Sequence, residues 1–188
     1  MSTTTADAQP TTNELSTVLR QMFAQMHFWL DGTMQDVTAE CCHWQPGGRV
    51  VPAGAHYAHH VMGSEDMLFN VLIRNATPLA LGEWQGKTGV SEPHPKPMGA
   101  WDEWARRVLI DLPALREYAQ AVYANTDAYL ASMTIEEWHR QVDMSAIGRE
   151  GQQQTVGFWL TNILLDGAGH CGEISAVKGL QGLQGYPF

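Results

Sequence analysis

Charge, cysteine and long apolar runs are all in short supply in this sequence, and each shortage excludes something. Only 16% of the 188 residues are charged, against roughly 25% in a typical globular domain, so its polarity comes largely from neutral side chains and backbone. The 44% of hydrophobic residues still supply one ordinary domain with a core. Basic residues are outnumbered, 11 Lys and Arg to 20 Asp and Glu, for a net charge of -9. They are scattered rather than gathered into a stripe, which argues against a nucleic-acid partner. The 3 cysteines, two of them the adjacent Cys41 and Cys42, make no disulfide framework and fit a reducing cytoplasm. No run of about 18 apolar residues occurs, so no membrane span is expected. The most hydrophobic stretch, 156–165, already contains Thr161 and Asn162 and then meets Asp166. Residues 1–12 have neither the basic nor the apolar region of a secretory signal and read as a disordered lead to a single domain over 13–188.

What is present is helical periodicity. Leu15, Leu19, Met22, Met26 and Trp29 recur at spacings of three and four and predict a helix over 13–31. A short turn over 38–49 ends at Pro46, Gly47 and Gly48, and a second long helix is predicted over 52–75. Residues 76–100 dissolve into Gly and Pro, a connection too long to be idle in a compact domain. A short helix over 101–107, a long one over 113–132, an acidic turn with a polar loop over 134–154, and a last helix over 155–182 follow. The last helix carries five glycines, each costing about 1 kcal/mol relative to alanine, so close packing is expected to compensate. No strand pattern is visible. The expected architecture is all-α, a four-helix bundle with a long crossover between helices 2 and 3.

The chemistry gathers on two of these helices. His56 and His60 are four apart on the stripe of Ala53, Ser64 and Val71, whereas His59, about 100° round the helix, leaves it. Asp166 and His170 are four apart on the inner face of the last helix. A buried carboxylate beside imidazoles calls for a compensating charge, and a divalent cation would provide it. Imidazole with carboxylate suits Zn, Ni or Fe(II) better than Ca or Mg. The same residues also make sense as a hydrogen-bonded polar core without metal.

The order His43-Trp44-Gln45-Pro46-Gly47-Gly48, then His60 five residues before Glu65-Asp66, then His170-Cys171-Gly172-Glu173-Ile174 and a closing Gly-rich turn resembles the DinB-like family. The resemblance runs from the first helix to the end. It implies a four-helix bundle with the crossover described and a divalent metal held by His60 and by positions 166 and 170 of the last helix. Asp166 stands where the family usually has a histidine, so the implied ligand set is His60, Asp166 and His170. Family members with known activity include transferases and isomerases that use a low-molecular-weight thiol such as mycothiol or bacillithiol. A bound metal lowers the pKa of a thiol as it does that of water. The resemblance therefore implies a metal-dependent thiol S-transferase or isomerase acting on a small-molecule substrate.

Other residues carry open roles. His56 is a fourth ligand or a supporting residue, Cys171 a nucleophile or, turned off the His170 face, a packing thiol, and Glu173 a base, an orienting group or a surface carboxylate. His94, between two prolines, is expected in a solvated lid or crossover rather than at a metal, and the tryptophans either line an apolar pocket or anchor core and loops. The competing function is a non-catalytic metal- or ligand-binding stress-response bundle. A third takes the two-His, one-carboxylate set literally as a non-haem Fe(II) oxygenase site, and it ranks last because that triad usually sits on β scaffolds. Met, Phe and Trp on more than one face of the first helix suggest a homodimer.

Overall fold

The computed structural model describes residues 12–95 and 100–187. The lead expected over 1–12 lies outside them except for Thr12, which opens α1 (Thr12–Thr33). After a one-turn α2 (Ala39–His43), the second long helix begins as α3 (Ala53–Ala58) and continues without a break as a π-helix over His59–Arg74. A short α4 (Asp102–Arg107) precedes α5 (Leu112–Ala131), and α6 (Ile135–His139) precedes α7 (Val156–Leu180). Helix starts are written in the sequence. Thr38, Asp111, Thr134 and Thr155 each cap a helix by accepting a hydrogen bond from the backbone N–H three residues on.

The expectation of no strands is corrected. Gln141–Asp143 (β1) pairs antiparallel with Gln153–Thr155 (β2), Gln141 opposite Thr155. Each strand is three residues long and only Val142 is buried, so neither is long enough for alternation to register in sequence. The hairpin occupies the loop expected over 134–154 and delivers the chain into α7.

Side-chain contacts fix the bundle topology. Ser16 at the start of α1 donates to Leu130 O near the end of α5, making those helices antiparallel. Asp66 meets Tyr118, and Asn70 meets Asn125, so the π-helix and α5 run parallel. His56 faces His170 and His60 faces Asp166, so α3 and its π-helical continuation run antiparallel to α7. Lys178 of α7 donates to Thr33 O at the end of α1, which makes α1 and α7 parallel. Only a long connection joins two parallel neighbours, which accounts for the crossover between the second and third long helices.

The crossover is pinned by one buried carboxylate. Asp66 accepts from Tyr118 Oη at 2.6 Å, Leu79 N at 2.8 Å, Ala80 N at 2.9 Å and Asn70 Nδ2 at 2.8 Å. Leu30, Met34, Tyr57, Phe69, Leu115, Tyr118, Leu160 and Ile174 fill the core. Two of the five α7 glycines repay their helical cost by close packing: a Cβ at Gly157 would lie 2.3 Å from the Trp138 ring, and one at Gly167 would lie 2.4 Å from Met26 Sδ and 2.9 Å from His60 Cε1. At Gly169 and Gly179 a Cβ would meet nothing, so close packing does not explain those two.

Candidate metal centre

Imidazoles from three segments converge on Asp166 and His170 near the middle of the bundle. His60, with no exposed surface, presents Nδ1 to Asp166 Oδ2 at 2.8 Å, while its Nε2 lies 3.4 Å from Glu65 Oε2 with no aligned hydrogen-bond partner. Asp166 Oδ1 lies 3.5 Å from His170 Nε2. Asp166 thus neighbours both other residues of the expected trio, but the His60 and His170 ring centroids are 6.2 Å apart and the trio is not among the groups whose donor atoms all lie within 4.8 Å of one another.

The structure also brings in a residue that the sequence had set aside. His59 leaves the inner stripe on an α-helical wheel, but from His59 onward the helix is π-wound, with more residues per turn, and each step rotates the chain less. His59 nevertheless lies beside the centre, its ring centroid 4.1 Å from that of Trp101 and 5.1 Å from that of His170. Donor atoms of His59, Asp166 and His170 all lie within 4.8 Å of one another, as do those of His56, His170 and Glu173.

Hydrogen bonding orders the tautomers. His94 Nδ1 lies 2.7 Å from Pro95 O, an atom that only accepts, so Nδ1 of His94 carries the proton and its Nε2 is the acceptor when the ring is neutral. His59 Nδ1, 2.7 Å from that Nε2, is therefore the donor, and the lone pair of a neutral His59 resides on its Nε2. His170 follows the same plan. Its Nδ1 donates to Glu173 Oε2 at 2.7 Å, and its Nε2 is turned toward Asp166. An acceptor behind Nδ1 is the usual means of orienting a histidine that binds metal through its other nitrogen.

Burial and charge divide these groups into two sets. Burial pushes His59 down to about 3, with the neighbouring His170 and His94 adding to the effect, and burial likewise brings His56 and His94 down to about 4. These three are neutral at pH 7. Burial also opposes charge on His60, but its contacts with Asp166 and Glu65 outweigh it and raise the ring to about 9. His170 is raised by Asp166 and Glu173 against the same burial penalty. Asp166 is buried enough to be pushed up, yet the hydrogen bonds from His170 and His60 hold it well below the usual carboxylate range. Glu65, also opposed by burial, is drawn down to about 2 chiefly by His27, whose Nε2 lies 2.9 Å from both carboxylate oxygens.

The other candidates fall into place around this set. His94 is buried rather than solvated, because Gly63 leaves room for its ring: a Cβ at Gly63 would lie 2.7 Å from His94 Cε1. Trp101 stacks on His59 at 4.1 Å and sets its edge toward His56 at 5.5 Å, so the end of the crossover covers the imidazoles. His56 Nδ1 lies 3.1 Å from His170 Nδ1 and 3.0 Å from Glu173 Oε2. Glu173 thus backs two imidazoles. Burial pushes the Cys171 thiol up to about 11, which suits packing and not nucleophilic attack. Neither His94 nor Trp101 carried a sequence signal beyond residue type, since both depend on how the crossover folds back.

The comparisons agree with this architecture. The sequence profile of the DinB superfamily matches residues 20–174. A solved structure described as a conserved protein of locus from Enterococcus faecalis superposes with a TM-score of 0.71 at 17% identity, covering 88% of this chain and 96% of that one. No curated protein matches the sequence.

Proposed function

The chain belongs to the DinB superfamily, and from that membership and the geometry we propose that it is a metal-dependent enzyme whose divalent ion is held by His59, Asp166 and His170. One observation carries the reading: both imidazoles have Nδ1–H engaged by an acceptor behind them, and their donor atoms share one 4.8 Å cluster with the Asp166 carboxylate. Two nitrogens and one carboxylate oxygen suit Zn, Ni or Fe(II). His60, the ligand the family resemblance implies, serves here to fix Asp166 by donating to its second oxygen. Both nitrogens of His60 face carboxylates, Nδ1 that of Asp166 and Nε2 that of Glu65, whereas His59 gives only its Nδ1 to His94.

When bound, the metal supplies a Lewis acid that lowers the pKa of a coordinated low-molecular-weight thiol. The chain does the rest. His94 and Glu173 hold the two imidazoles in register, Trp101 shields them from water, and Glu65 balances the charge of His60. Three protein ligands leave coordination positions for a thiol cofactor, with an organic electrophile as substrate for S-transfer or isomerisation. The non-catalytic reading is less well supported because a cavity opens directly beside Asp166.

Co(II) substitution tests the assignment. An open site gives visible absorption bands that change when a low-molecular-weight thiol is added, and thiol conjugation rises above background. Bands indifferent to thiol, with conjugation at background, would return the protein to the binding-bundle reading.

We also propose a homodimer formed through the outer face of α1, where Val18, Met22, Phe28 and Trp29 are exposed next to Leu165 of α7. Sedimentation showing only a 20.8 kDa species at micromolar concentration would remove it.

A further inference from the structure

A cavity of about 490 Å³ opens beside the centre, and Asp166 belongs to its wall. The wall is otherwise made by the π-helix, α7 and the β1–β2 hairpin. Its apolar portion includes Leu68 and Trp159, and its polar portion includes Asn162, Gln152 and Arg149. Arg149 is a cation in an acidic protein of net charge -9. Arg20, Arg107, Arg140 and Lys178 each face a carboxylate. The Arg149 guanidinium, like those of Arg49, Arg74, Arg106 and Arg116, forms no ion pair among the described residues, but of these only Arg149 lines this cavity, and its backbone is firmly placed: Arg149 N donates to Met144 O at 3.1 Å, and Gln152 N donates to Arg149 O at 3.2 Å. The same wall contains a further donor without an acceptor among the described residues, the buried Nε1 of Trp159.

We propose that this cavity binds a small organic carboxylate. Its carboxylate faces the Arg149 guanidinium, with the side-chain amides of Gln152 and Asn162 beside it, its apolar body lies on Leu68 and Trp159, and its far end reaches Asp166. A planar guanidinium offers paired N–H donors that match a carboxylate's two oxygens, and neighbouring amides add orientation without competing charge. Pockets of this size take a drug-sized molecule or smaller on mostly apolar walls with a few placed polar groups. An exposed guanidinium gains an ion pair from a carboxylate that it does not gain from a neutral ligand, and the Asp166 carboxylate in the same wall favours a ligand whose anionic end stays at Arg149. The inference rests on the reading of Asp166 as a metal ligand only for what the far end of the molecule meets; the carboxylate subsite stands on the cavity wall alone.

Calorimetric titration of the full chain with phenylbutyrate and with its neutral amide, in chelator-treated and Zn-loaded protein, tests the proposal. The acid is expected to bind about tenfold tighter than the amide in both states, and Arg149→Gln to erase that preference while Arg149→Lys keeps part of it. Arg149 is exposed, so the variants should fold as the wild type does, which circular dichroism and the melting temperature check. Equal binding of acid and amide, a preference that survives Arg149→Gln, or no binding of either at millimolar concentration overturns the subsite. Acid binding confined to Zn-loaded protein and indifferent to Arg149 also overturns it, while leaving the metal centre intact. An Arg149-dependent preference in a protein that takes up no metal upholds the subsite and removes the metal.

Discussion

Glu65→Gln is the most informative single perturbation of the buried network, because it deletes a charge and keeps the shape. Glu65 has no exposed surface, accepts from His27 and stands 3.4 Å from His60 Nε2. Together with Asp166 it raises His60 from its ordinary 6.5 to about 9. At about 1.4 kcal/mol per pKa unit, the paired imidazolium stabilises the fold by about 3 kcal/mol where it is fully protonated in both states. Asp166 supplies the leading share and Glu65 the next, so the substitution removes on the order of 1–2 kcal/mol of this at pH 6. A group whose pKa is raised by folding gives its full stabilisation below the unfolded value and loses it as pH climbs through the folded one. The deficit of Glu65→Gln should therefore be largest between about pH 4.5 and 6.5 and shrink as pH rises through 9. Urea unfolding of chelator-treated wild type and variant across that range measures it. A deficit that is constant from about pH 6 to beyond 9, or absent throughout, refutes the charged His60 on which the reasoning depends.

Other perturbations separate packing from polarity. Gly167→Ala should lower stability by about 1–2 kcal/mol, because overpacking against Met26 and His60 outweighs the helical gain, whereas Gly179→Ala, which meets nothing, should raise it by up to about 1 kcal/mol; thermal unfolding gives both signs. Asp66→Asn should cost about 2–3 kcal/mol and speed amide exchange at either Leu79 or Ala80, because the two N–H groups use different carboxylate oxygens and the amide keeps only one. Lys178→Met should cost about 1–2 kcal/mol by taking the donor from Thr33 O, since the Asp36 carboxylate it also releases is exposed, while Asp36→Ala should cost more by leaving a buried ammonium without its charged partner. Chemical denaturation of the pair checks that asymmetry.

The long helices were legible because their buried faces recur at helical spacing. Leu19 and Met26 of α1, and Leu115, Tyr118 and Val122 of α5, are all buried, whereas Met22 and Trp29 of the stripe read for α1 are exposed and Leu30 takes the inner place. The crossover was legible from its length and its Gly and Pro content. The hairpin was not, since three-residue strands with one buried side chain leave no pattern to read. Asp166 and His170 could be singled out because polar residues on an apolar helical stripe need an explanation. His59 was placed off the inner stripe by its spacing, and what spacing did not show is that His94 and Trp101 of the crossover pack onto it and enclose it beside His170. His94 and Trp101 reach the centre through the folding of the crossover, which no local spacing encodes. Glu65 and Asp66 entered as a motif, and the structure gives each a separate task, one balancing buried imidazoles and the other tying the crossover to the bundle.

The central claim is that the chain binds one divalent ion through His59, Asp166 and His170. It is tested most directly by measuring the metal content of protein purified without a metal-affinity tag, alongside His59→Ala, His60→Ala, Asp166→Ala and His170→Ala. The account predicts about one equivalent in the wild type, loss in the His59, Asp166 and His170 variants, and weakened but measurable uptake in His60→Ala. Undiminished uptake in the first three, or none in the wild type even after incubation with Zn, Ni or Fe(II), would contradict it and make the cluster a buried polar network.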